Sequence, residues 1–193
     1  MCNLYTQTKS VDEVARIFRD LQMPIQFPEG IPNLQPREIA ITDPAPIIRA
    51  SASGQPELVV RRWSWPGAHG KPVFNFRSDG REFSSGRCLI VADGFFEFTK
   101  PDDAKAKRKH KWLFTPSTGE PFAIAGLWRK DDTVSEAFTM LTTEPGEDMR
   151  PYHNRQIVVL RATDFGRWLD PAVPAKELTK PLPGGSLSVE QIC

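Results

Sequence analysis

Cys2 stands directly behind Met1 and would begin the mature chain if Met1 were removed. Methionine aminopeptidase removes Met1 when the next side chain is short, which leaves a free α-amine and a thiol on adjacent carbons. Roughly a tenth of an α-amine is unprotonated at pH 7. A neutral amine attacks an aldehyde to give an imine, and the thiol can then close onto the imine carbon as a thiazolidine. Cys2 could equally be an amidohydrolase-type nucleophile whose own amine is the base, or it could have no chemical role.

Glu97, in the stretch VADGFFEF, could transfer protons. Strand alternation places Glu97 and Phe95 on one face and Phe96 and Phe98 on the other. A carboxylate between aromatic rings can be partly desolvated, which raises its pKa toward useful acid–base values. Taken alone, an exposed strand glutamate is the simpler interpretation.

His153 lies in MRPYHNRQIVVL, between Arg150 and Arg155 and just before an apolar segment. A loop histidine between two arginines suits proton transfer or phosphate contact, although a surface histidine is simpler in isolation. The chain has three histidines and no HxH or HExxH spacing, so neither a zinc site nor another metal or cofactor is expected.

A group of arginine and tryptophan residues occupies RRWSWPG and FNFRSDGREF. Sequence-neutral sites for single-stranded nucleic acid use guanidinium groups to hold phosphates and indoles to stack on bases. Tryptophan at a strand end belongs more often to a core, so the pattern alone leaves both interpretations open. The residues concerned are Asn75, Arg77, Arg81, Arg61, Arg62, Trp63 and Trp65.

The charge and cysteine content exclude several classes of protein. Of the 193 residues, 25 are basic and 24 acidic, a net charge of +1 that does not by itself indicate nucleic acid. The basic stretch 105–111 is more simply a solvated loop. Three widely spaced cysteines make neither a disulfide framework nor a metal knuckle, and no apolar run or signal peptide is visible. We therefore expect a cytoplasmic protein without a membrane partner.

The stretch 10–21 predicts the first helix. Ser10 can cap it, Glu13 can complete a capping box, and an apolar stripe follows the helical period. The stripe consists of Val11, Val14, Ala15, Phe18 and Leu21. A late helix is expected from about 163 to 170.

Eight other segments predict strands, because they are short, rich in β-branched or aromatic residues and separated by Gly, Pro or Asp. They are 38–42, 46–50, 57–63, 87–98, 111–115, 122–128, 137–143 and 155–161. Many strands, few helices and no βαβ alternation indicate an α+β fold with a mainly antiparallel sheet or barrel-like core flanked by a few helices. We expect 1–193 to be a single domain whose tail is loosely ordered from about 180.

Six segments in order, from Cys2 to about 171, resemble the SOS response-associated peptidase (SRAP) family, whose members process abasic sites in DNA. They are MC, RRWSWPG before NFRSDG, RCLIVADGFFEF, FAIAGLW, TTEPGEDMRPYHNR and WLDP. The resemblance implies that the exposed Cys2 attacks the open-chain aldehyde of an abasic deoxyribose in single-stranded DNA. The product would be a thiazolidine DNA–protein crosslink that shields the lesion during the DNA damage response.

The resemblance also assigns roles to other residues. Asn75 would orient the Cys2 backbone or the intermediate. Glu97 would transfer protons during ring opening, Schiff-base formation and the self-cleavage that removes Met1. His153 would assist ring opening and contact the lesion phosphate. The resemblance implies a phosphate ligand in Arg77 and a DNA-facing surface that includes Trp63, and the residues add Arg62, Arg81, Arg150 and Arg155 as further candidate DNA contacts.

Four positions depart from the family pattern, and one of them is Phe98, where many members have Trp after the Glu. Asn3 and Leu4 follow Cys2 where a small residue and then Arg are common, so one phosphate contact is expected to be missing. Asn154 cannot be a charged partner of His153, as an Asp there could be.

The leading hypothesis is therefore a monomeric abasic-site crosslinking enzyme, with lyase-type activity and autoproteolytic removal of Met1, associated with the nucleoid when bound to DNA. One alternative is a cysteine peptidase that uses Cys2 as an N-terminal nucleophile on other proteins. Another is a non-covalent single-stranded DNA-binding module.

Overall fold

The computed structural model describes residues 1–101 and 108–193. Within these ranges the chain forms fifteen strands, three short α-helices and two 3₁₀ turns. Lys105 and Lys107 of the predicted basic stretch lie outside the described residues.

The strands and helices follow one another along the described chain without βαβ alternation. In chain order the strands are β1 (Leu4–Gln7), β2 (Arg37–Ala40), β3 (Pro44–Ala50), β4 (Pro56–Trp63), β5 (Trp65–Pro66), β6 (Pro72–Val73), β7 (Asn75–Arg77), β8 (Arg87–Ala92), β9 (Gly94–Thr99), β10 (His110–Pro116), β11 (Phe122–Asp131), β12 (Ser135–Thr143), β13 (Gln156–Ile157), β14 (Val159–Arg161) and β15 (Leu187–Gln191). The helices are α1 (Val11–Asp20), α2 (Phe165–Leu169) and α3 (Ala175–Leu178).

Five strands close into a barrel. β12 pairs with β4 on one side and with β11 on the other, and β3 and β8 complete the ring between them. The pairings are antiparallel except that of β12 with β4. Gly126 permits the close approach of β11 to β8, since a Cβ there would lie 2.8 Å from Ile90 and 3.0 Å from the Cys88 sulfur. β7, β13 and β14 extend this sheet.

A second, antiparallel sheet has the strand order β15–β10–β9–β1–β2. The chain enters it directly from the barrel, because only Asp93 separates β8 from β9. Alternation along β8 explains how the two layers pack: Cys88 and Ile90 belong to the core that includes β9 and β10, whereas Leu89 and Val91 belong to the core beneath the helices.

The first helix confirms the sequence prediction. Ser10 caps α1, its side chain accepts the backbone N–H of Glu13, and the Glu13 carboxylate accepts the backbone N–H of Ser10. Val14 and Phe18 are buried against the barrel, where Phe18 stacks on Phe165 of α2. The late helix is shorter than predicted, since a 3₁₀ turn precedes α2.

The prediction of a loosely ordered tail is wrong. Residues Leu187–Gln191 form β15, which pairs with β10 over five positions. Leu187 is buried in the core, and Val189 packs against it. The Gly, Pro and Ser residues before this strand suggested disorder, but they build the turn that leads into it.

The predicted fold class is confirmed: a mainly antiparallel β structure with a closed barrel and few helices. The eight predicted strand segments all contain strands, and β1, β5, β6, β7 and β15 were not predicted. In the described ranges, no helix is both long enough and apolar enough to cross a membrane.

Candidate active site

Cys2 lies at the buried end of the site, two residues before the start of β1. Its side chain is 1% exposed and belongs to the core between the sheets. β1 is held in place by β2 on one edge and β9 on the other, and the Cys2 thiol donates to the carbonyl oxygen of Leu4 at 3.3 Å. The fold therefore holds Cys2 inside the protein, while Met1 remains exposed.

Burial, together with the negative charge of Glu97, raises the pKa of the Cys2 thiol to about 12. The thiol is consequently protonated at neutral pH. Chemistry at Cys2 therefore does not start from a stable thiolate.

Glu97 occupies the middle of β9 and is 2% exposed, so the interpretation as an exposed strand glutamate is wrong. Burial raises the pKa of its carboxyl group, and the nearby α-ammonium group of Met1 partly opposes that effect. Glu97 Oε2 lies 3.2 Å from the Met1 nitrogen, while Oε1 is buried with no hydrogen-bond partner among the described residues. The raised pKa makes this carboxyl group a better proton donor in its protonated form than an exposed glutamate, which stays ionised.

His153 lies in the turn after β12, where its backbone N–H donates to the carbonyl of Met149. Its Nε2 is 2.5 Å from the Met1 nitrogen. Its Nδ1 lies 2.9 Å from the backbone nitrogen and 3.1 Å from the carbonyl oxygen of Arg155. Because the Met1 ammonium group can only donate, Nε2 accepts from it, and the ring proton of the neutral form lies on Nδ1, which donates to the Arg155 carbonyl. Partial burial, and then the Met1 charge, lower the pKa of His153, so the neutral imidazole predominates at pH 7.

Asn75 is the first residue of β7, which lies parallel to β12. Asn75 itself pairs with Met140 of β12. Its Nδ2 donates to the carbonyl oxygen of Cys2 at 2.8 Å. Its Oδ1 is buried without a hydrogen-bond partner in the described parts of the chain. The first two residues of the chain therefore lie in contact with three residues that are distant in the sequence: Asn75, Glu97 and His153.

The predicted DNA-contacting residues differ in the exposure of their side chains and in the contacts that these side chains already make. Arg77 and Arg150 are exposed, and Arg81 is exposed with its guanidinium over the ring of Phe76. Arg62 is half-buried and donates to the carbonyl of Thr42 at 3.3 Å.

Arg155 is committed to the fold, because its guanidinium lies 2.6 Å from Asp79 and 2.9 Å from the carbonyl of Thr142. The prediction that Trp63 belongs to a DNA-facing surface is wrong. Its indole is 0% exposed and donates to the carbonyl of Phe74. Trp63 ends β4, where it pairs with Phe138 of β12, and its ring fills the core beside Tyr5.

Two aromatic residues near the site were not predicted to matter. Trp112 on β10 lies directly opposite Glu97 on β9, and its ring packs at 4.8 Å from that of Tyr152. Tyr152 precedes His153 in the turn. Alternation in the predicted strand 111–115 could have placed Trp112 on one face, but only the strand pairing places it beside Glu97.

The departures from the family pattern lie at the edge of the site. Asn3 and Asn154 are exposed, and Leu4 begins β1. Across residues 1–101 and 108–193, no group of three or more His, Cys, Asp or Glu side chains could hold a metal ion.

Curated proteins similar to this chain include three from Bacillus subtilis (strain 168). The abasic site processing protein YoaM is 34% identical over 105 residues, which are 52% of this chain and 43% of YoaM. The abasic site processing protein YobE is 32% identical over 105 residues, 52% of this chain and 44% of YobE. The abasic site processing protein YoqW is 34% identical over 91 residues, 45% of this chain and 39% of YoqW. The matched segments span less than half of each relative.

Solved structures share the fold at low sequence identity. A phage-related protein from Bordetella bronchiseptica has a TM-score of 0.75 at 20% identity, covering 99% of this chain and 94% of that one. A protein from Bacteroides thetaiotaomicron has a TM-score of 0.73 at 19% identity, covering 100% of this chain and 92% of that one. A family model described as "SOS response associated peptidase (SRAP)" matches residues 1–193. This chain therefore belongs to the SRAP family.

Proposed function

We propose that this protein captures abasic sites in single-stranded DNA as a covalent adduct on Cys2 after Met1 is removed. The observation that carries the proposal is the position of the Met1 α-amine, 3.2 Å from Glu97 and 2.5 Å from His153, next to the buried Cys2. The names of the B. subtilis relatives support an abasic site as the substrate.

Removal of Met1 would leave the α-amine of Cys2 at the start of the chain. One residue spans about 3.5 Å, so the new amine would begin within reach of the same acid–base pair. The bond from Asn75 to the Cys2 carbonyl would hold the shortened end in place. In this proposal Glu97 and His153 also transfer protons during self-cleavage of the Met1–Cys2 bond.

The abasic deoxyribose is mostly a closed hemiacetal, and its aldehyde must be freed before an amine can attack. Ring opening takes a proton from the C1′ hydroxyl and gives one to the ring oxygen. Neutral His153 is suited to accept the first proton and protonated Glu97 to supply the second. The lowered pKa of His153 favours its neutral form, and the raised pKa of Glu97 makes its protonated form more accessible than that of an exposed glutamate.

The amine of Cys2 then attacks C1′ and forms a carbinolamine, which loses water to give an imine. The thiol adds to the imine carbon as its proton passes to the imine nitrogen, which closes the thiazolidine. In total, one aldehyde and one aminothiol give one thiazolidine and one water. The raised pKa of the Cys2 thiol favours this order, with the amine reacting first.

Two buried oxygens in the site are suited to bind the sugar. Glu97 Oε1 and Asn75 Oδ1 accept no hydrogen bond from the described residues. A buried acceptor without a donor costs free energy. The hydroxyl groups of an opened deoxyribose could supply both donors.

The experiment is to incubate the protein with a single-stranded oligonucleotide that holds one abasic site, and to denature the product. We expect a stable adduct with the wild type and with Cys193→Ala, which removes an exposed thiol elsewhere. Cys2→Ala keeps a short second residue and an α-amine but lacks the thiol. It should give only an imine, which is lost on denaturation and retained after reduction with cyanoborohydride.

The alternatives predict different outcomes. If Cys2→Ala forms the same unreduced adduct as the wild type, Cys2 is not the trapping residue. A cysteine peptidase would turn over peptides without DNA, and cleavage confined to Met1 would not count. A non-covalent DNA-binding module would bind reversibly, with the same affinity for damaged and undamaged strands.

A further inference from the structure

An open groove of about 600 Å³ lies on the face of β7 opposite the candidate active site. Asn75 points toward Cys2, whereas the next residue, Phe76, packs with the core beneath the helices and lines the groove. The groove is lined by aromatic and arginine side chains, chiefly Trp65, Phe76, Phe83, Trp128, Arg81 and Arg129. Nothing in the proposed crosslinking chemistry uses this face.

Two guanidinium groups are stacked on aromatic rings at the groove. Arg129 lies 4.4 Å from the ring centre of Trp65, and Arg81 lies 4.9 Å from that of Phe76. Both arginine residues are exposed, and Arg81 makes no ion pair within the described part of the chain. Stacking fixes the guanidinium plane and leaves the N–H edges free for an oxygen anion such as phosphate.

The other charged groups at the groove leave its cationic character in place. Glu82 keeps its negative charge while it accepts the backbone N–H of Ala175 at 2.6 Å, and the guanidinium group of Arg87 lies near enough to offset that charge. Arg129 contacts Asp131 at 3.2 Å through one nitrogen, Nη2. The groove therefore complements the negative charge of a nucleic-acid backbone better than that of a neutral or cationic ligand.

The floor of the groove is fixed by the backbone. Gly86 has a φ of +73°, and a Cβ there would meet the carbonyl oxygen of Trp128 at 2.6 Å. The backbone N–H of Trp128 donates to the carbonyl of Gly86 at 2.7 Å. The loop after β7 is thereby held against β11, and the groove does not depend on a movable side chain for its shape.

Two exposed arginine residues, Arg77 and Arg81, lie between the active site and the groove. Arg77 ends β7, and a turn in which the Arg81 N–H donates to the Ser78 carbonyl leads to Arg81 four residues later. Within the described residues β7 pairs only with β12, so its other edge is open. A single strand passing over that edge meets Arg77 and then Arg81.

We propose that the groove binds nucleotides that flank the abasic site on the same DNA strand, with phosphates on Arg81 and Arg129 and bases against the stacked guanidinium and aromatic groups. This inference rests on the proposed function, because it takes the lesion to lie at Cys2. It adds a second binding site for DNA, on the opposite face of β7.

The test compares Arg129→Ala with Lys130→Ala on two abasic oligonucleotides. One oligonucleotide has a single nucleotide on each side of the lesion, and the other has about ten. Lys130 is an exposed cation next to Arg129 on β11 whose side chain points to the other face, so it controls for loss of charge. The long oligonucleotide is used at a concentration below saturation. Under that condition we expect Arg129→Ala to crosslink it about three- to tenfold more slowly than the wild type does, because one charge-assisted contact is lost.

The same variant should crosslink the short oligonucleotide at the wild-type rate, and Lys130→Ala should match the wild type on both. The log–log dependence of undamaged-strand affinity on salt should be shallower by roughly 0.7 for Arg129→Ala only. Equal rates for Arg129→Ala and wild type on the long oligonucleotide would overturn the groove proposal, and so would an equal loss on both lengths. If the wild type crosslinks neither oligonucleotide, the proposed function fails, while weaker binding of undamaged DNA by Arg129→Ala would still support the groove.

Discussion

The fold buries the Glu97 carboxyl group, and burial disfavours its ionised form. One of its oxygens has no hydrogen-bond partner in the described chain, and burial raises its pKa. A folded state that holds a carboxyl group with a raised pKa binds a proton more tightly than the unfolded chain does. Stability therefore falls as the pH rises through the interval between the ordinary and the raised pKa.

Glu97→Gln should stabilise the protein and slow the proposed reaction. The amide cannot ionise, so the Tm of the variant should increasingly exceed that of the wild type as the pH rises through the interval in which Glu97 ionises, and the difference should shrink as the pH falls below the ordinary carboxyl pKa. Crosslinking should slow by roughly 10²-fold or more, the usual contribution of a general acid or base. Thermal melts and crosslinking rates across pH measure both effects.

The control for this variant is Glu190→Gln, which changes an exposed carboxylate on β15. It should alter neither Tm nor the crosslinking rate appreciably. A Tm difference between Glu97→Gln and the wild type that does not grow as the pH rises would contradict the account of Glu97 as a buried acid with a raised pKa.

Trp112→Ala tests the source of that burial. Trp112 lies directly opposite Glu97, and removing its ring would admit water to the carboxyl group. The pKa of Glu97 should then fall toward its ordinary value, and the crosslinking optimum should move to lower pH. Trp112→Phe retains a ring and should leave the optimum close to that of the wild type. A pH–rate profile of Trp112→Ala that matches the wild type would show that Trp112 does not set the protonation of Glu97.

At the scale of elements, β15 connects the end of the chain to the site. It pairs with β10, which pairs with β9, so the strand that carries Glu97 depends on two neighbouring strands for its position. Leu187 and Val189 pack into the core from this edge.

Leu187→Ala should lower the free energy of unfolding by about 2–3 kcal/mol, at the low end for a buried leucine because the strand is at an edge. Ser188→Ala, on the exposed face of the same strand, should change it by less than about 0.5 kcal/mol. Urea denaturation of both variants measures the difference. Equal stabilities would mean that the end of the chain is not part of the cooperative fold.

The sequence predicted the elements well wherever a local pattern determines them. Helix α1 followed from Ser10, Glu13 and its apolar stripe, and the strand segments followed from β-branched runs bounded by turn residues. β15 was missed because its stability comes from pairing with a strand about 75 positions earlier. The burial of Trp63 and the position of Trp112 opposite Glu97 also depend on contacts between distant strands, so the local sequence pattern did not predict them.

For the whole molecule, the net charge of +1 means that the proposed DNA binding depends on where the arginine residues lie rather than on their number. Arg77 is exposed beside the site, whereas Arg155 is held by Asp79 and by the carbonyl of Thr142. The two residues match the same sequence pattern of arginines around candidate site residues. Their roles differ because of tertiary contacts that the sequence does not reveal.

Arg77→Ala should weaken the binding of undamaged single strands and reduce the salt slope by roughly 0.7, with Tm unchanged. Arg155→Ala should lower Tm, since it leaves the Thr142 carbonyl and Asp79 without their donor. Fluorescence anisotropy at several salt concentrations, together with thermal melts, separates the two effects. If Arg77→Ala keeps the wild-type salt slope, Arg77 does not contact the DNA backbone.

The most direct test of the central claim is the intact mass of the purified protein before and after incubation with an abasic oligonucleotide. The account predicts a chain that has lost Met1 and then gains the mass of the oligonucleotide less one water. The adduct should survive denaturation without reductant, and Cys2 should no longer react with iodoacetamide. A chain that retains Met1 and still forms the adduct, or an adduct in which the Cys2 thiol remains free, would contradict the account.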